Sequence, residues 1–147
     1  DPGVNGGIAA LNGSGEVVLV AKRYESDKDL LSVLSVLRRM PDAILPDGRT
    51  SVFAYLEHVR SSPQMGVVSA FTFGRGYGEL RMALLASAIP FEEVTPQSWQ
   101  KTMACRSGGD KNVTKRRAEE LFPQMKITHA IADALLIAEC CRRVKRG

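Results

Sequence analysis

Residues 51–96 read SVFAYLEHVRSSPQMGVVSAFTFGRGYGELRMALLASAIPFEEVTP, and segments of different periodicity divide them. Ser51 to Val59 is β-branched and aromatic, apolar on both faces until Glu57. That is the pattern of a central strand with a carboxylate near its end. Arg60 to Gly66 (RSSPQMG) is a loop. Val67 to Ala88 has the composition of a helix but carries Gly74, Gly76 and Gly78, which together cost a helix roughly 2–3 kcal/mol relative to alanine. An interrupted helix is therefore expected. Close approach of a neighbouring element would call for glycine there; so would a ligand's phosphates, with Arg75 beside them. Phe91 to Pro96 is a short strand stopped by proline. Strand, helix and strand in this order make a βαβ element.

Toward the N-terminus, Ile8 to Leu11 and Val17 to Val20 flank the turn signal Asn12-Gly13-Ser14-Gly15, as in a hairpin. Asp1-Pro2-Gly3 reads equally as a plain turn or as a carboxylate leading into a sheet edge. Asp27 to Met40 has apolar residues at 30, 31, 33, 34, 36 and 37 and fits a helix with an acidic first turn. Pro41 to Arg49 is a connection. Toward the C-terminus, Pro96 to Ala104 is a short helix with Trp99 as a core anchor. Arg106 to Asn112 is a loop, Thr114 can cap a helix over 115–122, and His129 to Val144 is a strongly apolar helix with a basic last turn. The fold class is α/β, a sheet flanked by helices, in one domain over residues 1–147.

The 147 residues are 44% hydrophobic and 24% charged, an ordinary globular balance. No apolar run approaches the roughly 20 residues needed to span a bilayer. Cys105, Cys140 and Cys141 lack metal or disulfide spacing, which points to a reducing compartment and to cysteines that pack. The net charge of +4 is unevenly placed: residues 101–117 carry +5 and 142–146 carry +4, leaving −5 for the rest. Such a stripe fits a polyanionic partner or a solvated loop and tail.

The last helix concentrates the chemistry. His129 and Asp133 lie four residues apart on one face, and Asp133 is followed by Ala134, Leu135 and Leu136. An ionised aspartate there is costly unless paired or bound to a cation; an acid favoured by the helix dipole is the plainer reading. With Asp1 and Glu57, Asp133 makes three acids from separate parts of the chain. Such a set can hold two Mg²⁺ ions for phosphodiester hydrolysis.

Asp1-Pro2-Gly3-x-x-Gly6, a strand ending at Glu57, and His129-x-x-x-Asp133-Ala134-Leu135-Leu136-Ile137-Ala138 together resemble the RuvC-type Holliday-junction resolvases of the ribonuclease H-like superfamily. The likeness is to the phage, bacterial and chloroplast forms with a histidine one turn before the last acid. Gly76 to Leu80, Val94-Thr95-Pro96-x-x-Trp99 and Lys115 to Pro123 extend it over nearly the whole chain. The resemblance implies a single mixed five-stranded sheet and an endonuclease that nicks four-way DNA junctions symmetrically as a homodimer. It implies Asp1, Glu57 and Asp133 as ligands of two Mg²⁺ ions, replaceable by Mn²⁺, with His129 a fourth ligand or acid/base group. Lys111 and Lys115 fall where the family has basic residues near the scissile phosphate. Gln64, Met65 and Arg75 fall where it meets the junction core, and Lys101 and Arg116 belong to the same basic stripe. A cytoplasmic setting in a bacterium or phage-infected host is implied, or an organelle in a plant.

The chain departs from the family in two places. Bacterial members commonly carry a further aspartate where Ala130 stands, which shifts weight to His129. The first aspartate of the family also ends a central strand, so an apolar segment of about five residues is expected ahead of Asp1. Other readings stay open: a nuclease of this fold acting on flaps, forks or RNA–DNA hybrids, or a silent DNA-binding module. A kinase-type ATP module needs two such domains, and this length holds one.

Overall fold

The computed structural model describes residues 1–3, 5–22, 24–40, 48 and 51–146. The connection expected over 41–49 lies outside them except for residue 48. The hairpin forms as read: β1 (Gly7–Leu11) pairs antiparallel with β2 (Val17–Lys22), Gly7 opposite Lys22. Its turn closes through the Asn12 amide donating to the Glu16 carbonyl at 2.9 Å. Helix α1 (Asp27–Arg39) starts where the Ser26 hydroxyl accepts from the Asp29 amide, and it buries Leu30, Leu34 and Leu37.

Strand β3 (Ala54–Glu57) and strand β4 (Phe91–Val94) pair in parallel, with helix α2 (Val67–Ala86) as their crossover. This is the expected βαβ element. The helix, however, is continuous. Gly76 lies on its buried side with Leu80, Ala83 and Leu84. Added Cβ atoms at Gly74 and Gly78 would meet nothing within 4 Å, so no neighbour in the chain presses on those two positions. Burial of one apolar face outweighs the propensity penalty.

Helix α3 (Pro96–Thr102) is capped by Thr95 and sinks Trp99 to 1% exposure. Helix α4 (Lys111–Leu121) begins a turn earlier than its sequence indicates. Asp110 caps it by accepting from the Asn112 amide at 2.9 Å, after Gly108 and Gly109 turn the chain with positive φ. Thr114 is buried instead, its hydroxyl donating to the Lys111 carbonyl. Helix α5 (His129–Arg146) packs against β1, β2, β3, α3 and α4.

The expected five-stranded sheet is not what the described residues form. They make two separate two-stranded sheets, β1–β2 and β3–β4. A cavity of about 550 Å³ stands between them, lined by Ile8, Ala10, Ala54, Leu56, Leu80 and Ala134 among others. With this gap between β1 and β3, no ladder joins them. Two apolar clusters result. One gathers Trp99, Met103, Phe122, Leu135 and Leu136; the other gathers Leu30, Leu34, Leu56, Leu80 and Leu84. All three cysteines are free and buried, in keeping with packing roles.

Candidate active site

Asp1 is fixed by the turn that follows it. The Gly3 amide donates to its Oδ1 at 2.9 Å, and the Gly6 amide donates to the Gly3 carbonyl at 2.8 Å. Glycine is required at position 6, where a Cβ would lie 2.3 Å from the Asp1 carbonyl oxygen. At position 7 a Cβ would come within 2.9 Å of the Ala130 carbonyl, so β1 enters directly against the first turn of α5. The sequence Asp-Pro-Gly-x-x-Gly-Gly thus serves to bring residue 1 close to the helix that carries Asp133.

Glu57 ends β3. Its Oε1 accepts the Trp99 indole N–H at 2.8 Å, a bond between the strand and the closed cluster beneath α3. Burial pushes the Glu57 carboxyl above the ordinary glutamate value. The Trp99 hydrogen bond opposes that shift, as does Lys111, whereas Asp133 reinforces it. Both carboxylates lie near the backbone nitrogen of residue 1. Asp133 has a buried Oδ1 with no hydrogen-bond partner among the described residues. A buried carboxylate oxygen without a donor is costly, and a cation relieves that cost.

The structure thus brings Glu57 into electrostatic range of Asp133, of Lys111 and of the backbone nitrogen of residue 1. His129 is exposed at the first residue of α5, and no described hydrogen bond joins it to the acids. Lys111 opens α4, and Lys115, one turn on, lies 3.6 Å from Glu119. Lys101 and Arg116 are exposed, Gln64 is exposed, and Met65 is half-buried. Arg75 is engaged by Glu79 at 2.6 Å. Among the described residues, no three His, Cys, Asp or Glu side chains are gathered closely enough to hold a metal ion. The donor chemistry nevertheless fits a hard divalent cation: carboxylate oxygens only, one of them buried and orphaned. Sequence reasoning missed the bond from Trp99 to Glu57; its signal was an indole N–H that must find an acceptor when buried.

Among solved structures, Thermus thermophilus RuvC matches 96% of this chain and 88% of its own length, with a TM-score of 0.58 and 19% identity. The fold is of RuvC type. The same protein in complex with a Holliday junction substrate matches 96% of this chain and 87% of that one, at a TM-score of 0.59 and 18% identity. No family model and no curated protein sequence matches the chain. The likeness covers nearly the whole chain, so the α/β class expected from residues 51–96 holds although the strands of the described residues form two sheets.

Proposed function

We propose that this chain is a metal-dependent nuclease that cuts branched DNA, with the four-way junction as its preferred substrate. One observation carries the reading: Glu57 at the end of β3 and Asp133 on the last helix share one electrostatic neighbourhood beside residue 1, and Asp133 has a buried, unpartnered oxygen. The RuvC-type fold and the likeness to RuvC bound to a junction support the substrate class.

Asp1, Glu57 and Asp133 hold the metal, with His129 as a further ligand or proton carrier. Divalent Mg²⁺, or Mn²⁺ in its place, would supply charge neutralisation and an activated water. Trp99 fixes the Glu57 carboxylate by its indole bond and keeps it from turning away. Lys111 and Lys115 face the scissile phosphate, while Lys101 and Arg116 extend the basic track. Gln64, Met65 and Arg75 meet the branch point. Phosphate contacts of this kind give salt-sensitive affinity without reading sequence.

A second copy fits on α2. Val67 is 86% exposed and Phe71 74% exposed, and they share a stripe with Met82 and Leu85 opposite the face that packs inward. Gly74 and Gly78 sit at the centre of this stripe in open space, flanked by Phe71 and Met82, then by Val67 and Leu85. In an antiparallel two-fold pairing centred on Gly74 and Gly78, Val67 of one copy meets Leu85 of the other and Phe71 meets Met82. An apolar stripe of this size on a free surface marks an interaction site. Sedimentation is expected to show a dimer for the unaltered chain and a monomer for Phe71→Glu; a monomer in both would remove the second copy.

The test of function is cleavage of a labelled immobile four-way junction, a linear duplex and an RNA–DNA hybrid in Mg²⁺. Paired nicks at the branch point are expected, slowed on the order of 10³-fold by Asp133→Asn. Cleavage of the hybrid alone would transfer the site to another substrate, and binding without cleavage in either Mg²⁺ or Mn²⁺ would leave a DNA-binding module.

A further inference from the structure

Beside Glu57, outside the carboxylate set, five side chains from α2, β4 and the segment that leaves β3 form a linked group. His58 Nδ1 lies 2.8 Å from Glu93 Oε2, and Arg60 Nε donates to His58 Nε2 at 3.2 Å. Arg81 meets the other Glu93 oxygen at 3.1 Å. The Tyr77 ring stands edge-on to the imidazole, its centroid 6.2 Å away.

The proton on the imidazole is assigned by its neighbours. A carboxylate accepts only, so Nδ1 carries the hydrogen and donates to Glu93. Nε2 is then a lone pair, which lets it accept from a guanidinium. A histidine protonated on both nitrogens could not do this. The Glu93–His58 pair therefore fixes the tautomer that holds Arg60 by its Nε.

Arg60 differs from the arginines that acids engage. It is exposed, and no carboxylate pairs with it among the described residues. Arg75, Arg81, Arg117, Arg142 and Arg143 all have acid partners. With Nε engaged, its two terminal nitrogens keep four N–H groups in the fork geometry that matches two oxygens of a phosphodiester. It stands three residues past Glu57 on the segment leaving β3.

We propose that Arg60 is a backbone-phosphate contact for DNA entering the site, preset by the Glu93–His58 pair, which acts as a positioning relay. This inference rests on the nuclease reading above. Neither charge pattern nor family likeness singles Arg60 out; the hydrogen-bond chain does.

The test is equilibrium binding of an immobile four-way junction across a range of salt concentrations, using the full chain, together with Mg²⁺-dependent cleavage of the same junction. Arg60→Ala is expected to bind roughly tenfold more weakly and to lower the slope of log affinity against log salt by about 0.9, one phosphate contact. Arg60→Lys keeps the slope but not the full affinity. His58→Phe weakens binding less than Arg60→Ala and adds nothing to it in the double variant. His58→Gln, whose amide can donate to Glu93 and accept from Arg60, restores binding. An unchanged salt slope in Arg60→Ala, in a chain that otherwise binds and cuts the junction, overturns the phosphate contact alone. Full additivity of the His58→Phe and Arg60→Ala effects overturns the relay. If the unaltered chain neither binds nor cuts the junction, the nuclease reading itself falls.

Discussion

The two sides of α5 differ. Toward α3 and α4 the interior is closed: Trp99, Met103, Leu135 and Leu136 are at 1% exposure or less. Toward the sheets it is open, with about 550 Å³ between β1 and β3. The candidate site lies where the two regimes meet. Asp1 lines the open cavity, Asp133 projects from the helix between the regimes, and Glu57 is bonded to Trp99 on the closed side. A rigid wall holds the acids, and the looser half leaves room for something else to complete their surroundings.

The most severe way to break this contrast is to truncate a side chain at the centre of the closed half. Leu135→Ala is expected to cost about 3–5 kcal/mol in denaturant unfolding, because the tightly packed wall cannot collapse around the hole. Leu80→Ala, on the lining of the open half, is expected at about 2 kcal/mol, since part of its contact shell is already missing. Equal losses would remove the distinction between the two halves.

A smaller effect is expected at the end of α5. Glu139 is 5% exposed and accepts from Arg142 and Arg143 at 2.7 Å. The Arg142 hydrogen bond leads in holding its carboxyl below the usual glutamate range, with Arg143 adding to it and burial opposing. A depressed folded-state value contributes stability above the ordinary carboxylate pKa, and that contribution is lost as pH falls through the depressed value. Glu139→Gln should cost about 1.5–3 kcal/mol at neutral pH and flatten the acid limb of the stability curve. An unchanged acid limb would show that the closed half does not depend on this pair.

Asp133→Asn gives the smallest shift in stability and the most instructive sign. Removing a carboxylate whose buried Oδ1 has no partner should leave the melting temperature unchanged or raise it slightly, although cleavage collapses. A clear fall in melting temperature would mean that Asp133 has a structural partner after all.

Much of this was legible in the sequence because local pattern and tertiary demand agree. The Asn-Gly turn, the Ser26 cap and the apolar spacing of residues 30–37 each point to the element that forms. The cost of an aspartate at the head of an apolar helix was visible as well, and Asp133 is where the structure leaves an orphaned oxygen. What could not be read depends on distant contacts. Three glycines signal a broken helix, yet burial of Leu80, Ala83 and Leu84 keeps α2 whole. Thr114 and Asp110 are both competent caps, and the glycine pair before Asp110 decides between them. The division of the sheet follows from what lies between β1 and β3, which no strand records in its own sequence.

Calorimetric titration of Mn²⁺ into the unaltered chain, Glu57→Gln and Asp133→Asn tests most directly whether acids so far apart in sequence act as one site. Binding in the unaltered chain, weakened at least about tenfold by either substitution alone, is the expected result. Equal affinity in all three proteins would mean that residues 57 and 133 share no ion, and the site as described would not exist.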